Sequence, residues 1–496
     1  MDDETTPIIV GVGQINDRPA DPLAGLDPVA LMGAALRRAE DDAGAALLVD
    51  ADWLGVVKQI AFPEIADACA PLAASLGAAP SFAVQTPGPN GDSPILLLNQ
   101  AANRIGAGET RIALVAGAEA LRTAAARVAA AEGGRKVDAT REAAHRRKTG
   151  YAQSYGLVAP VDVYPLYENA LRAKLGQTLA EAQAESGAIW SRFSEVAAGN
   201  PHAWIRHPVS AQEVITPSER NRPIAFPYTK LQVANASVNQ GAGFIVTSVA
   251  EARRRGIDPG RWIYVGNGAA AHEDENFLKR DRYDHSASMA VSIRRALALN
   301  AIDPQDLAAV ELYSCFPCIP KLARRVIEWP LERPATVFGG LTFGGGPIGN
   351  YMSHAVASMA DVLRGKGGTG LLFANGGFAT HNHSIVVSRE PIPAAAFPRG
   401  FDFQAEADAA RGPVPELDRE YAGEATVETY TVFHHRDGSP RAGVVVARTP
   451  EGARTLAHVP GEDSETIARL TAAETEPVGA RGWIEAGEPL AIWRFA

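Results

Sequence analysis

The run Gly339–Asn350, GGLTFGGGPIGN, decides how the rest of the chain is read. Six of its twelve residues are glycine, and it feeds directly into an apolar stretch with helical character from Tyr351. Glycine at this density has two readings. It supplies positive φ to a tight turn, or it lets the backbone lie close to a ligand. Both stay open on the loop alone, so its neighbours have to decide.

Before the loop, short β-branched runs alternate with helical stretches. Pro7–Gly13 reads as a buried strand, and Asp27-Pro28 starts a helix through about Glu40, with Asp27 as N-cap and Pro28 at the first helical position. Asp92-Ser93-Pro94 opens a second helix through about Ile105, with Asp92 or Ser93 read as its cap. The strand Arg111–Ala116 follows. Alternation returns at Gly241–Ala252, Trp262–Asn267 and Ala308–Tyr313, and after the loop at Gly370–Asn375 and Ile385–Ser388. This pattern predicts an α/β fold with a mainly parallel sheet. Between about Leu121 and Gln232 the pattern lapses into charged helices and proline-containing loops, which reads as an insertion over the sheet. Pro391–Pro398 is a Pro/Ala linker. Beyond it Ala425–His434, a turn at Asp437-Gly438 and Gly443–Ala447 read as a hairpin within a small β-rich, barrel-like domain. Four segments result: 1–120, an inserted 121–235, 236–390 and an additional 391–496.

Bulk composition narrows the function classes. The chain has 496 residues, 46% apolar and 21% charged, and a net charge of −10. That charge argues against nucleic acid or an anionic membrane as partner, and an anionic ligand needs a local basic pocket. No apolar run reaches the length of a membrane span. The acidic N-terminus is no signal peptide, and three cysteines fit a reducing cytoplasm. The pair Cys315-x-x-Cys318 has no second pair, so no zinc site is expected.

Three segments in order resemble the thiolase superfamily, in particular its sterol-carrier-protein-linked branch. The first is Gly91–Glu119, where Ala101, Ala102, Ile105, Gly108, Gly117 and Glu119 fit the family's spacing after its nucleophilic cysteine. The second, Glu311-Leu-Tyr-Ser-Cys-Phe316, is similar to the branch's His-Asp-Cys-Phe motif. The third is the glycine loop, which resembles the family's Gly-His-Pro loop. Together they imply a thiolase fold, a duplicated layered α/β core with an inserted loop domain. With the extra C-terminal β-rich, OB-like domain, the layout most resembles the thiolase-like proteins of type 1.

The resemblance implies a ligand, a coenzyme A thioester as substrate, and no permanently bound cofactor. It also carries the family's site residues onto this chain one by one. Gly91 stands at the nucleophilic cysteine, with Ser93 nearby as a weaker alternative nucleophile. Gly346 stands at the catalytic histidine, and Gly345 and Pro347 flank it as a binding surface. Cys315 stands at the acid/base cysteine, while Tyr313 and Ser314 replace the histidine and aspartate. Gly376 lies in the counterpart of a terminal Cys-x-Gly-Gly-Gly motif whose cysteine position holds Phe373. His381 and His383 are alternative bases, His354 reads as structural, and Arg146 and Arg147 belong to a basic cluster placed to meet CoA phosphates.

Standard thiolysis therefore lacks its nucleophile. The resemblance then implies an acyl-CoA-handling, acetyl-CoA acetyltransferase-like protein with a non-standard site, in which Tyr313 and Cys315, with Tyr351 close by, are left as the chemical candidates. Some thiolase-fold proteins carry tyrosine at this place and cleave carbon–carbon bonds of acyl-CoAs as retro-aldolases alongside an OB-fold partner; the C-terminal domain is then a fused counterpart. The alternative is a catalytically silent acyl-CoA-binding protein. A homodimer through the cores is the family habit, which an additional domain is able to block.

Overall fold

Residues 2–131 and 150–496 are described by the structure, a computed structural model. Arg146 and Arg147 lie outside the described residues, so their expected contact with CoA has no structural account. The strands are β1 (Pro7–Asn16), β2 (Trp53–Val56), β3 (Phe82–Gln85), β4 (Ile112–Ala120), β5 (Pro223–Ala225), β6 (Tyr228–Thr229), β7 (Asn239–Ser248) and β8 (Ile263–His272). They continue with β9 (Leu307–Glu311), β10 (Thr369–Gly376), β11 (His381–Ser388), β12 (Gly423–His434), β13 (Pro440–Arg448), β14 (Arg454–Pro460), β15 (Arg481–Glu485) and β16 (Ile492–Phe495).

Nine strands form one sheet in the order β3-β2-β4-β7-β1-β8-β11-β10-β9. Read outward from its centre, each half repeats one pattern: first strand, last strand, the strand after the buried helix, then the second strand. Within the sheet the halves join where Ile8 and Ile9 of β1 pair with Tyr264 and Ile263 of β8. This is the duplicated core. The sheet is not mainly parallel as expected. β7 runs antiparallel to β1 and β4, and β11 runs antiparallel to β8 and β10. The short Gly377–Thr380 turn forces the β10–β11 reversal, because a parallel return needs a crossover of a dozen residues or more. β7, just after residue 236, lies between β4 and β1 in the sheet.

Two helices lie beneath the sheet at equivalent places, Ser93–Gly106 before β4 and Tyr351–Lys366 before β10. Leu97, Leu98, Ala101 and Ile105 bury the first, while Met352, Ala355, Val356 and Met359 bury the second. They pack on each other, with both N-termini turned to the same end of the sheet as the glycine loop.

The C-terminal strands close a small barrel in the order β12-β13-β14-β16-β15-β12, with the helix Ser464–Thr471 between β14 and β15. Trp493, Tyr430, Val445, Ala457 and Ile484 fill its interior. The barrel is continuous with the insertion, because β5 pairs with β12 at Ala225–Phe433. It also packs along the helix Pro160–Leu175, where Thr429 Oγ1 donates to the Leu166 carbonyl at 2.6 Å and Asn169 Nδ2 to the Tyr430 carbonyl at 2.9 Å.

Candidate active site

Gly91 sits just before the Ser93–Gly106 helix, with Tyr313 directly over it. A β-carbon built at Gly91 would lie 2.2 Å from the Tyr313 hydroxyl oxygen and 2.1 Å from the Asn375 carbonyl oxygen. The Tyr313 phenol therefore occupies the space that a nucleophile's side chain would need. Its backbone is held at φ +37°, a region costly for a bulky residue and typical of functional sites. Among the described residues its hydroxyl makes no hydrogen bond.

Tyr351 meets Tyr313 edge-on, with ring centroids 5.6 Å apart, and its hydroxyl donates to Glu311 Oε1 at 2.9 Å. Glu311 Oε2 accepts from the Thr336 hydroxyl at 2.8 Å and the Val337 N–H at 3.0 Å. Burial pushes this carboxyl up to about 7 in spite of those three donors. Burial likewise raises both tyrosines well above the ordinary phenol value, and the Cys315 thiol to about 12. Tyr313, Tyr351 and Cys315 are thus neutral donors at physiological pH, and none is a ready base.

The glycine loop is one turn of π-type helix, Gly340–Gly344, flanked by positive φ at Gly339 (114°), Gly340 (72°) and Gly345 (107°). A β-carbon at Gly345 would strike Gln240 Oε1 at 2.1 Å, so glycine is required there. Gly346 has no such demand: its nearest obstacle to a β-carbon is the Asn235 carbonyl oxygen at 3.3 Å. Its N–H already donates to that same carbonyl at 2.8 Å, so it is not free for an oxyanion. Pro347 leads into a short 3-10 turn, Ile348–Asn350. The Leu341 N–H donates to the Ser314 hydroxyl at 3.2 Å, which ties the loop to the Tyr313–Cys315 segment.

Gly91, Tyr313, Cys315, Tyr351 and Gly376 converge. Gly376 lies beside the Gly91 N–H, 3.0 Å from a β-carbon built on it. The remaining candidates stand apart. Ser93 is buried with its hydroxyl donating to the Gly88 carbonyl at 3.4 Å. His383 Nε2 lies 2.9 Å from Asn99 Nδ2 and its ring stacks on Phe401. Burial lowers its pKa to about 3. His354 is also pushed down to about 3, 2.8 Å from Gln14 Oε1. His381 pairs with Glu275 at the rim. Phe373 is buried inside β10.

Three participants escape the motif comparison. Tyr164, from the inserted helix, donates towards Asn375 Oδ1 and the Gly377 carbonyl at 3.1 Å each and stacks on Phe316. Glu311 heads the second motif but reads there as strand. Asp92 reads as a helix cap, yet its side chain makes no capping hydrogen bond.

Over its full length the chain matches a monomeric SCP2-thiolase like protein type 1 from Mycobacterium smegmatis. Identity is 30%, each chain is covered 100% and the TM-score is 0.83. The chain belongs to the SCP2-thiolase-like proteins of type 1. Residues 402–488 match the thiolase-like protein type 1 additional C-terminal domain, which corresponds to the closed barrel. No curated protein matches the chain. Two more distant structures share the fold of the core. An Ltp2-ChsH2(DUF35) aldolase aligns at 18% identity and TM-score 0.58, covering 78% of this chain and 99% of its own. Human mitochondrial 3-ketoacyl-CoA thiolase in complex with CoA aligns at 13% and 0.57, covering 77% and 98%.

No described helix is long and apolar enough to cross a membrane. Among the described residues, surface hollows of about 600 and 210 Å³ lie beside Asp67, Cys69 and Gln85 and beside Asp2, Pro7 and Phe397, away from the converged residues.

Proposed function

We propose that this family member handles acyl-CoA thioesters and cleaves a carbon–carbon bond of a β-hydroxyacyl-CoA by a retro-aldol reaction, in place of thiolysis. The observation that carries this reading is the Tyr313 hydroxyl standing where the nucleophile's side chain would be. A neutral phenol there is placed to hydrogen-bond the thioester oxygen and to stabilise an enolate, the role of an oxyanion-hole donor. Cys315, also neutral, is a second donor. The likeness to an aldolase assembly and to a CoA-bound thiolase supports the class of ligand.

A local basic surface supports it too. Ile205 and Trp204 donate backbone N–H groups to the Phe343 and Gly344 carbonyls of the glycine loop at 2.7 and 2.9 Å. Arg18 stacks on Trp204, 4.0 Å from its ring, and Arg206 follows next in sequence. Arg18 lies close enough to Arg122 and Arg206 for their charges to lower its pKa, after the larger effect of burial. Arg38 and Arg206 act on His202 in the same way. Among the described residues none of these four arginines forms a salt bridge. On an acidic chain this patch suits the phosphates of CoA.

A second reading, a non-catalytic acyl-CoA binder, is favoured by how fully Tyr313 and Asn375 fill the space at Gly91. Calorimetric titration with CoA and acetyl-CoA tests what the two readings share. Binding of both is expected, with Arg206→Glu weakening it about tenfold by charge reversal. No heat from either ligand would remove both readings.

A further inference from the structure

With Tyr313, Tyr351 and Cys315 all held protonated, the proposed cleavage lacks a proton acceptor. Asp92 stands next to it. The residue is 6% exposed, adjoins Gly91, and its carboxylate accepts no hydrogen bond from any other described residue. Its Oδ1 lies 3.4 Å from a β-carbon built at Gly376, the residue that also lies against the Gly91 N–H. The charges that bear on it are His381 and His272, which favour the carboxylate, and Glu275, which opposes it. Asp92 in turn acts on Tyr313. His272 and His381 meet edge-on with centroids 4.7 Å apart, and His381 Nε2 contacts the exposed Glu275 carboxylate. His272 Nδ1 is buried without a hydrogen-bond partner among the described residues. Gly376, beside Asp92, pairs with His381 across β10 and β11, and His381 pairs with His272 across β11 and β8, so the four side chains gather at one end of these strands, with Glu275 exposed.

Resting on the retro-aldol reading, we infer that Asp92 is the general base of this site and that His272, His381 and Glu275 exchange its proton with solvent. The balance is complete without a co-reactant. Asp92 takes the β-hydroxyl proton, and the O–H electron pair becomes the new carbonyl bond. The bond between the α and β carbons breaks, leaving its pair on the α carbon as a thioester enolate held by the Tyr313 hydroxyl. The enolate carbon takes back one proton from the Asp92 carboxyl. The products are an aldehyde or ketone and a shortened acyl-CoA. Burial holds the Asp92 carboxyl above its ordinary value, which suits a base that must accept a proton near neutrality.

Asp92→Asn in the full-length chain keeps the volume and removes the base. Two readouts are taken: cleavage of 3-hydroxybutanoyl-CoA, and the titration midpoint of His272 followed by NMR. Cleavage is expected to fall by about 100-fold or more, with CoA affinity retained. The His272 midpoint should shift down, because a neighbouring anion has gone. Asp92→Glu should recover part of the rate. Wild-type turnover in Asp92→Asn, or an unmoved His272 midpoint, would overturn the relay. If the wild-type chain cleaves nothing while the midpoint still moves, the retro-aldol reading fails and the Asp92–His272 coupling stands.

Discussion

Gly91→Cys, the substitution that restores the family's nucleophile, is expected to destabilise the protein by about 3 kcal/mol and to produce no thiolysis. The reason is geometric. A β-carbon at this position meets the Asn375 carbonyl oxygen at 2.1 Å, the Tyr313 hydroxyl at 2.2 Å and the Tyr313 ring at 2.6 Å. The carbonyl belongs to β10, paired along its whole length with β11, so it has no room to give. Adding Tyr313→Phe removes the hydroxyl contact only, and the double variant should recover part of the loss, since the two sites touch. Thermal denaturation of the four proteins measures the cycle. Wild-type stability in Gly91→Cys, with thiolysis of acetoacetyl-CoA, would mean the site is built around a cysteine after all.

Truncation after Arg389 is expected to abolish soluble, cooperatively folded protein. The Pro/Ala linker Pro391–Pro398 reads as a joint between separable parts, but the contacts argue otherwise. Arg454, fully buried, pairs with Glu428 and donates to the Leu278 and Arg280 carbonyls of the core. Removing it leaves those carbonyls without a donor, together with the buried Arg172 and Asn169 of the Pro160–Leu175 helix, which lose Tyr430. Each such group costs about 1–3 kcal/mol where water does not replace the lost partner, so the four together are comparable with the whole stability of an ordinary domain. That helix also carries Tyr164, which fixes Asn375 beside Gly91. The barrel therefore holds the site together from behind. Gel filtration and circular dichroism of residues 1–389 check this. A monodisperse product with the full-length melting temperature would show the two parts to be independent.

Local signals in the sequence were reliable where chemistry is local. Asp27 accepts the Ala30 N–H at 2.8 Å and starts its helix as read. The Asp437-Gly438 turn joins β12 to β13, with Gly438 at φ +88°. The order of the three motifs placed Gly91, Tyr313 and the glycine loop in one duplicated core. What the sequence hid is long-range. Asp92 resembles Asp27 in its setting before a proline-containing helix start, yet only Asp27 caps. The Asp92 side chain instead lies beside Gly376, in a strand far along the chain. Arg18, Arg38, Arg122 and Arg206 form no run, so their patch exists only once β1 and the insertion are folded together. The strain at Tyr313 likewise follows from tertiary packing, because no local pattern asks a tyrosine for positive φ.

The central claim is that Tyr313 stands in the place of the missing thiol nucleophile and acts there as the donor that stabilises a thioester enolate. Its most direct test is the turnover of two substrates by the wild-type chain and Tyr313→Phe. One is 3-hydroxybutanoyl-CoA, and the other is acetoacetyl-CoA with free CoA. The wild type should release acetaldehyde and acetyl-CoA from the first and leave the second unchanged, while Tyr313→Phe should bind both and turn over neither. Rapid thiolysis of acetoacetyl-CoA, or hydroxyacyl cleavage undiminished in Tyr313→Phe, would contradict the account.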